Sequence, residues 1–311
     1  MRAGARLALY GAGLVVAFGG AFAAAGAVVP DEFVAAWTEG SDMDAQDAGH
    51  GGSGEPAGAH GPSGVSIEAS GFVLSPVEAP GTVGAEGELS FRIVTAAGEV
   101  VTEFAEAHEK DLHLIVVRSD GAGYRHAHPR LDEATGTWSL PWEWDAAGTY
   151  RVVADVTPAV AGAEGVTLSR TMQVAGAFSP VATEVRRTVE VDGFTVSLDG
   201  ELAAGASGDL TVTVERDGEP VTELEPYLGA FGHLVALREG DLAYLHVHAE
   251  GAEPRAGDTA GPRIGFAAEP PTAGRYLLYF DFQVDGTVRT AAFVIDAGHG
   301  DRAAHADAGG H

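Results

Sequence analysis

His113-Leu114-Ile115-Val116-Val117-Arg118, followed six residues later by Tyr124-Arg125-His126-Ala127-His128, recurs 120 positions on. There it reads His233-Leu234-Val235-Ala236-Leu237-Arg238 and Tyr244-Leu245-His246-Val247-His248. The same offset carries Gly98-Glu99 onto Gly218-Glu219 and Val101-Thr102-Glu103 onto Val221-Thr222-Glu223, without a gap. Further on, Gly148-Thr149-Tyr150 through Asp155 matches Gly274-Arg275-Tyr276 through Asp281 at an offset of 126, a loop six residues longer. A repeat of this length is one structural unit used twice. The two copies are expected at 65–176 and 186–297, joined by a linker at 177–185.

Each copy reads as β. Short segments rich in Val, Ile and aromatics are separated by Gly, Asp and Pro turns. In copy one they are Leu89 to Val94, Asp111 to Arg118, Tyr124 to His128, Thr137 to Trp142, Tyr150 to Val156 and Leu168 to Val174. In copy two they are Phe194 to Leu198, Leu210 to Glu215, His233 to Arg238, Ala243 to His248, Arg263 to Ala267, Tyr276 to Gln283 and Arg289 to Ile295. About seven strands per copy and no helical pattern predict an all-β fold, two tandem immunoglobulin-like β-sandwiches. A small antiparallel barrel is the alternative. The cluster Trp138, Trp142, Trp144 has no equivalent in copy two and reads as core and rim packing.

Composition removes several function classes. The 311 residues hold 18 Lys+Arg against 45 Asp+Glu, a net charge of −27. A nucleic-acid binder needs a basic surface, so none is expected. No cysteine is present, which removes thiolate nucleophiles, iron–sulfur clusters and Cys-ligated zinc or blue copper.

Arg2 and Arg6 precede an uncharged run from Leu7 to Val29, closed by Pro30-Asp31-Glu32. Residues 1–30 therefore read as a single-pass signal anchor with the bulk of the chain extracytoplasmic. A cleaved signal and secretion is the alternative, with small-residue cleavage sites around Ala21 to Ala25. Without the two arginines of that segment the remainder carries −29. Residues 31–64 form an acidic Gly/Ala-rich linker holding His50 and His60, and residues 298–311 a tail with His299, His305 and His311. Both are too polar and too poor in apolar periodicity to fold alone.

The chemistry rests on H-x10-Y-x-H-x-H. Side chains alternate along a strand, so Tyr124, His126 and His128 share a face. Ser119 to Gly123 is turn-rich and makes the two strands a hairpin. If paired positions sum to 241, His113 lies opposite His128 and three imidazoles converge; a one-residue slip sends His113 to the other face. The candidate metal ligands are His113, His126 and His128 in copy one and His233, His246 and His248 in copy two. Glu133 and Glu253, each five positions after the last His, are additional candidates. Tyr124, Tyr244, Asp155 and Asp281 are candidates for the shell that orients the ligands. Across 113–128 the copies agree at six of sixteen positions, and three of the six are His. His108 has no counterpart and is expected to face solvent.

Nitrogen and oxygen ligands with only three methionines favour Cu(II) or Zn(II) over a methionine-type Cu(I) site. Imidazole binds a metal only when neutral, so affinity is expected to fall as the pH drops through about 6.5.

The string His113-Leu114-Ile115-Val116-Val117, then Tyr124-Arg125-His126-Ala127-His128-Pro129, Gly136-Thr137-Trp138 and Gly148-Thr149-Tyr150-Arg151, resembles exported YtkA-like β-sandwich domains. The resemblance covers most of copy one and, more loosely, copy two, where Ala249 replaces the proline. It implies an extracytoplasmic immunoglobulin-like fold and an association with copper and heavy-metal handling.

The expected function is extracytoplasmic metal binding for buffering, delivery or resistance, without catalysis. A metal transporter or other cell-envelope protein is the candidate partner. A non-enzymatic surface interaction module with structural histidines is the alternative. A cupin-like metalloenzyme is a lesser one, since H-x-H-x4-E echoes a cupin motif but neither copy has the further downstream histidine.

Overall fold

Turns built on glycine, aspartate and proline cut the chain into short strands. The computed structural model describes residues 62–300 except 161, 246 and 256 and the side chain of His248. The expected membrane segment, most of the first linker with His50 and His60, and the tail with His305 and His311 lie outside the described residues, as does His246. Among the described residues there is no helix, and hence none able to cross a membrane.

Module one comprises β1 (Glu68–Ala69), β2 (Phe72–Leu74), β3 (Gly87–Thr95), β4 (Phe104–Ala105), β5 (Leu112–Arg118), β6 (Arg125–Ala127), β7 (Arg130–Asp132), β8 (Thr137–Trp142), β9 (Gly148–Pro158) and β10 (Val166–Val174). Module two comprises β11 (Thr188–Val191), β12 (Phe194–Asp199), β13 (Leu202–Ala203), β14 (Gly208–Arg216), β15 (Glu219–Pro220), β16 (His233–Arg238), β17 (Tyr244–Leu245), β18 (Val247–Ala249), β19 (Arg263–Ala268), β20 (Gly274–Val284) and β21 (Thr287–Gly298). One sheet of module one runs β1-β2-β3-β8-β7 and the other β10-β9-β5-β6. Their equivalents in module two run β11-β12-β14-β19-β18 and β13-β21-β20-β16-β17. Two separate sheets per module make each a sandwich, not the alternative barrel. In each, a tyrosine hydroxyl donates to the carbonyl four residues back, Tyr150 to Ala146 and Tyr276 to Thr272, both at 2.9 Å. Such a tyrosine corner is an immunoglobulin-like feature.

Parity along β5 explains how the modules meet. All seven of its residues are buried. Leu112, Leu114 and Val116 enter module one's own core, with Phe91, Trp138, Trp144 and Val152. Ile115 and Val117 point the other way, into a cluster with Val235, Leu237, Leu277, Tyr279 and Val294 of module two. β16 divides likewise, Leu234 and Ala236 inward, Val235 and Leu237 outward. A strand apolar on both faces is one covered on both faces. The two β5/β16 sheets therefore pack against each other within one compact unit. Close approach there needs Gly121: at φ 80° it lies in the β5–β6 turn, and a Cβ would come within 2.8 Å of Leu277.

One expectation fails in detail. Ala243 to His248 is not one strand: β17 pairs with β16, whereas β18 crosses to β19 in the other sheet. In module one the crossing waits until Arg130, because Pro129 lacks the N–H a ladder requires. Copy two has Ala249 at that place, which pairs with Phe266.

Candidate metal centre

The β5–β6 register pairs Leu114 with Ala127, Ile115 with His126 and Val116 with Arg125, so paired positions sum to 241. His113, Ile115 and Val117 share the face toward module two, and Tyr124 and His126 project from the same face of the hairpin. His128 follows just past the end of β6, opposite His113. The side chains close the triangle: His113 Nδ1 is 3.0 Å from His126 Nε2 and 3.3 Å from His128 Nε2. One nitrogen from each of the three rings lies within 4.8 Å of the others.

The far side of two rings sets which nitrogen faces the centre. His113 Nε2 is 3.0 Å from the Ala107 carbonyl. A carbonyl only accepts, so this nitrogen carries the hydrogen and Nδ1 keeps a lone pair. His126 Nδ1 is 2.9 Å from Asp281 Oδ2, which in the neutral ring places the hydrogen on Nδ1 and the lone pair on Nε2. Two lone pairs thus face each other at 3.0 Å, an arrangement that calls for an electrophile. With metal–nitrogen bonds of about 2.0–2.1 Å, neighbouring ligands stand about 2.8 Å apart in a square plane and about 3.3 Å apart in a tetrahedron. The observed spacings fall at and between these values.

Burial suppresses protonation here. It lowers the His113 pKa to about 4 against the hydrogen bond that the ring donates to the Ala107 carbonyl, helped by His126, His233 and His108. It lowers His128 to about 3, with His126 and His113 adding repulsion. For these two rings the point of proton competition moves well below the ordinary 6.5, and both keep the lone pair that a metal needs.

Asp281 belongs to β20, so the carboxylate behind His126 comes from the other copy. Its side chain is buried (1% exposed). Thr290 Oγ1 donates to Oδ1 at 2.5 Å, and the Tyr124 hydroxyl donates to Oδ2 at 3.3 Å. Tyr124 also stacks on Tyr279, rings parallel at 3.9 Å. Asp155 pairs with His113 across β5–β9 and accepts from Thr167 Oγ1 at 2.9 Å. Tyr244 packs in the inter-module cluster, its phenol pushed up by burial and then by Asp155.

Copy two is visible at His233. Its Nε2 donates to the carbonyls of Tyr227 (3.0 Å) and Leu228 (2.9 Å), as His113 does to Ala107, and burial lowers its pKa to about 4. The register of Ala236 with Leu245 and Leu237 with Tyr244 repeats copy one. His246 and the His248 side chain lie outside the description. The His233 ring is 6.5 Å from His113 and 6.3 Å from His126, so His233 of copy two stands in the same region as the copy-one histidines. Glu253 lines the adjoining cleft of about 600 Å³ with His108, His113, His126, His233 and Asp155. Glu133 is not brought there: it is exposed in the β7–β8 turn of the opposite sheet. His108 was missed. Its ring is exposed but 6.0 Å from His113 and 5.5 Å from His233, on backbone at φ 50°. Lacking a repeat counterpart, it gave no signal in the sequence.

Residues 70–176 and 189–299 each match the family described as Domain of unknown function (DUF8832). The chain belongs to that family. No curated protein matches it significantly. Solved structures similar to this DUF8832 chain include a DUF4426 family protein from Pseudomonas aeruginosa PAO1, at 10% identity and TM-score 0.28 over 37% of this chain and 100% of that one. Invasin, a bacterial integrin-binding protein, matches at 11% and 0.21 over 71% and 38%. The D0-D1 domain of intimin matches at 11% and 0.21 over 74% and 98%. Scores this low carry no functional argument.

Proposed function

We propose that this protein binds one divalent metal ion, Cu(II) or Zn(II), at His113, His126 and His128, and serves in extracytoplasmic metal buffering, delivery or resistance. The observation that carries the reading is the convergence of three imidazole nitrogens, two of them with their N–H turned away and held. The resemblance to YtkA-like domains points the same way. Residues 1–30 would hold the protein at the cell membrane, and a charge of −29 beyond them would draw cations toward the cleft. A metal transporter or another envelope protein is the partner this role implies, and copy two would supply a second position through His233, His246 and His248.

Calorimetric titration of the full chain with Cu(II) and with Zn(II) tests this. The variant His113→Ala/His126→Ala/His128→Ala should lose one tight, stoichiometric event and keep binding at His233, His246 and His248 and the weak binding of the flanking histidines. If it binds like the wild type, the site is wrong.

A second reading draws on the same 3.0 Å between His113 and His126, which is also a hydrogen-bond distance if one ring takes up a proton. In it the histidines are structural and tie together an immunoglobulin-like surface interaction module without catalysis. Equal metal binding by wild type and variant, with a lower stability of the variant, is its signature.

A further inference from the structure

The structure assigns to Asp281 the part of a positioning residue acting across the module boundary. It fixes the Nδ1–H form of His126, presents Nε2 to the metal, and so makes metal binding and the docking of module two onto module one a single coupled event. This rests on the metal reading above and adds its regulation.

The carboxylate is committed to this task by its own surroundings. Asp281 pairs with Thr290 on β21, whose hydroxyl occupies Oδ1. Oδ2 is left to two donors, His126 Nδ1–H and the Tyr124 hydroxyl, both from module one. Were His126 in the other tautomer, a lone pair would face a buried carboxylate and an N–H would face the metal, unfavourable at both ends. A metal on Nε2 instead places positive charge one ring away from a carboxylate that is otherwise buried beside neutral groups, which offsets part of its desolvation.

Module one carries the matching acid. Asp155 of module one is held by Thr167 on the neighbouring strand, as Asp281 is held by Thr290. Its charge acts on the phenol of Tyr244 in module two, as Asp281 touches Tyr124 in module one. Of the two, Asp281 is the carboxylate whose hydrogen bonds cross the boundary. The apolar cluster of Ile115, Val117, Leu237 and Tyr279 holds the sheets at the distance the Asp281–His126 contact needs. Loss of an orienting partner behind a metal-bound histidine costs about 10–100-fold in affinity. By linkage the metal must favour the docked arrangement by the same factor.

The test uses the full chain with Zn(II), competed against a chromophoric chelator, and ¹⁵N NMR of the imidazole nitrogens in the metal-free state. Asp281→Ala should bind Zn(II) 10–100-fold more weakly, and His126 should lose its Nδ1–H signature. Asp281→Asn keeps the shape and one acceptor oxygen, so it should stay folded and fall between the two. Val288→Ala, at an exposed position away from the site, should bind as wild type does. A purely structural Asp281 would lower stability and leave the tautomer unchanged, which would overturn the proposal. So would His128→Ala losing Zn(II) while Asp281→Ala binds as wild type, an outcome that leaves the metal site standing. Failure of wild type itself to bind would overturn both.

Discussion

Lowering the pH from 7.5 to 5 should destabilise the metal-free protein, and His113 should account for a measurable share. Its pKa is about 4 when folded, held down first by burial and then by neighbouring rings, against an ordinary value of 6.5 once unfolded. Between these values the unfolded chain binds the proton and the folded chain does not, so stability falls as the pH falls. At pH 5 the difference amounts to about 2 kcal/mol, and below pH 4 it levels off at about 3 kcal/mol. The groups facing the ring are His126 and His128 from the β6 side, Asp155 from β9, the Ala107 carbonyl and His108 from the segment before β5, and His233 from β16. Asp281 reaches it through His126. Two other partly buried acids titrate below this window. Burial opposes the Asp120 charge, but the Arg118 guanidinium and two backbone N–H groups outweigh it. Asp241 is lowered by Arg238. Urea unfolding of the full chain with a metal chelator at pH 7.5 and 5 measures the effect. In His113→Gln, the loss between the two pH values should be about 2 kcal/mol smaller than in wild type. Equal losses would show that His113 is not a buried neutral imidazole.

Three further outcomes follow from the geometry. Leu237, fully buried in the inter-module cluster, should cost about 2–5 kcal/mol when replaced by alanine, whereas Val288→Ala, at 40% exposure, should stay within about 0.5 kcal/mol; similar values in urea unfolding would mean the sheets do not pack as described. Tyr276→Phe removes the hydroxyl that bonds to Thr272 and should lower stability by about 1 kcal/mol, as should Tyr150→Phe in the other module; no change in either would remove the corner as a stabilising contact. Between pH 6.5 and 5 the logarithm of the Zn(II) association constant should fall by no more than one per pH unit, because His113 and His128 are already deprotonated there; a slope near three, measured by competition titration, would contradict their burial.

How much of this was legible follows from where each signal lies along the chain. The β5–β6 hairpin could be read because both strands lie within sixteen residues and the turn between them is short, but its register stood open between two pairings that differ by one residue, and the ladder decides it. The loops and sheets repeat, so fold class and repeat emerged from one string compared with itself. β18 was misjudged because alternation continues through Leu245 and Val247 while the backbone changes sheets, and only the proline at 129 against alanine at 249 distinguishes the two copies. The packing of one module on the other did leave a trace. Leu112 to Val117 is apolar on both faces apart from one histidine, the pattern of a strand buried twice over. Read that way, it places His113 at a boundary between modules and not on an open surface.

That boundary is why the partner of His126 was the hardest residue to place. Asp281 is 155 positions away and was noticed, with Asp155, as an acid that recurs in both copies and could orient a ligand, with nothing to say which histidine it serves. Parity argues otherwise. On β20, Phe280 and Phe282 fill the core of module two, so Asp281 between them must point out of that sandwich, toward whatever covers its sheet. What covers it is module one, whose hairpin brings an N–H donor and a hydroxyl to the same spot. A buried acid in an outward position of a covered sheet requires donors from the covering body. A duplicated module that packs its two copies through this sheet can meet the requirement across the boundary, as Asp281 does with His126 and Tyr124 of the other copy. The site is then a property of the pair: one copy alone would expose its acid to water and leave His126 free to take either tautomer.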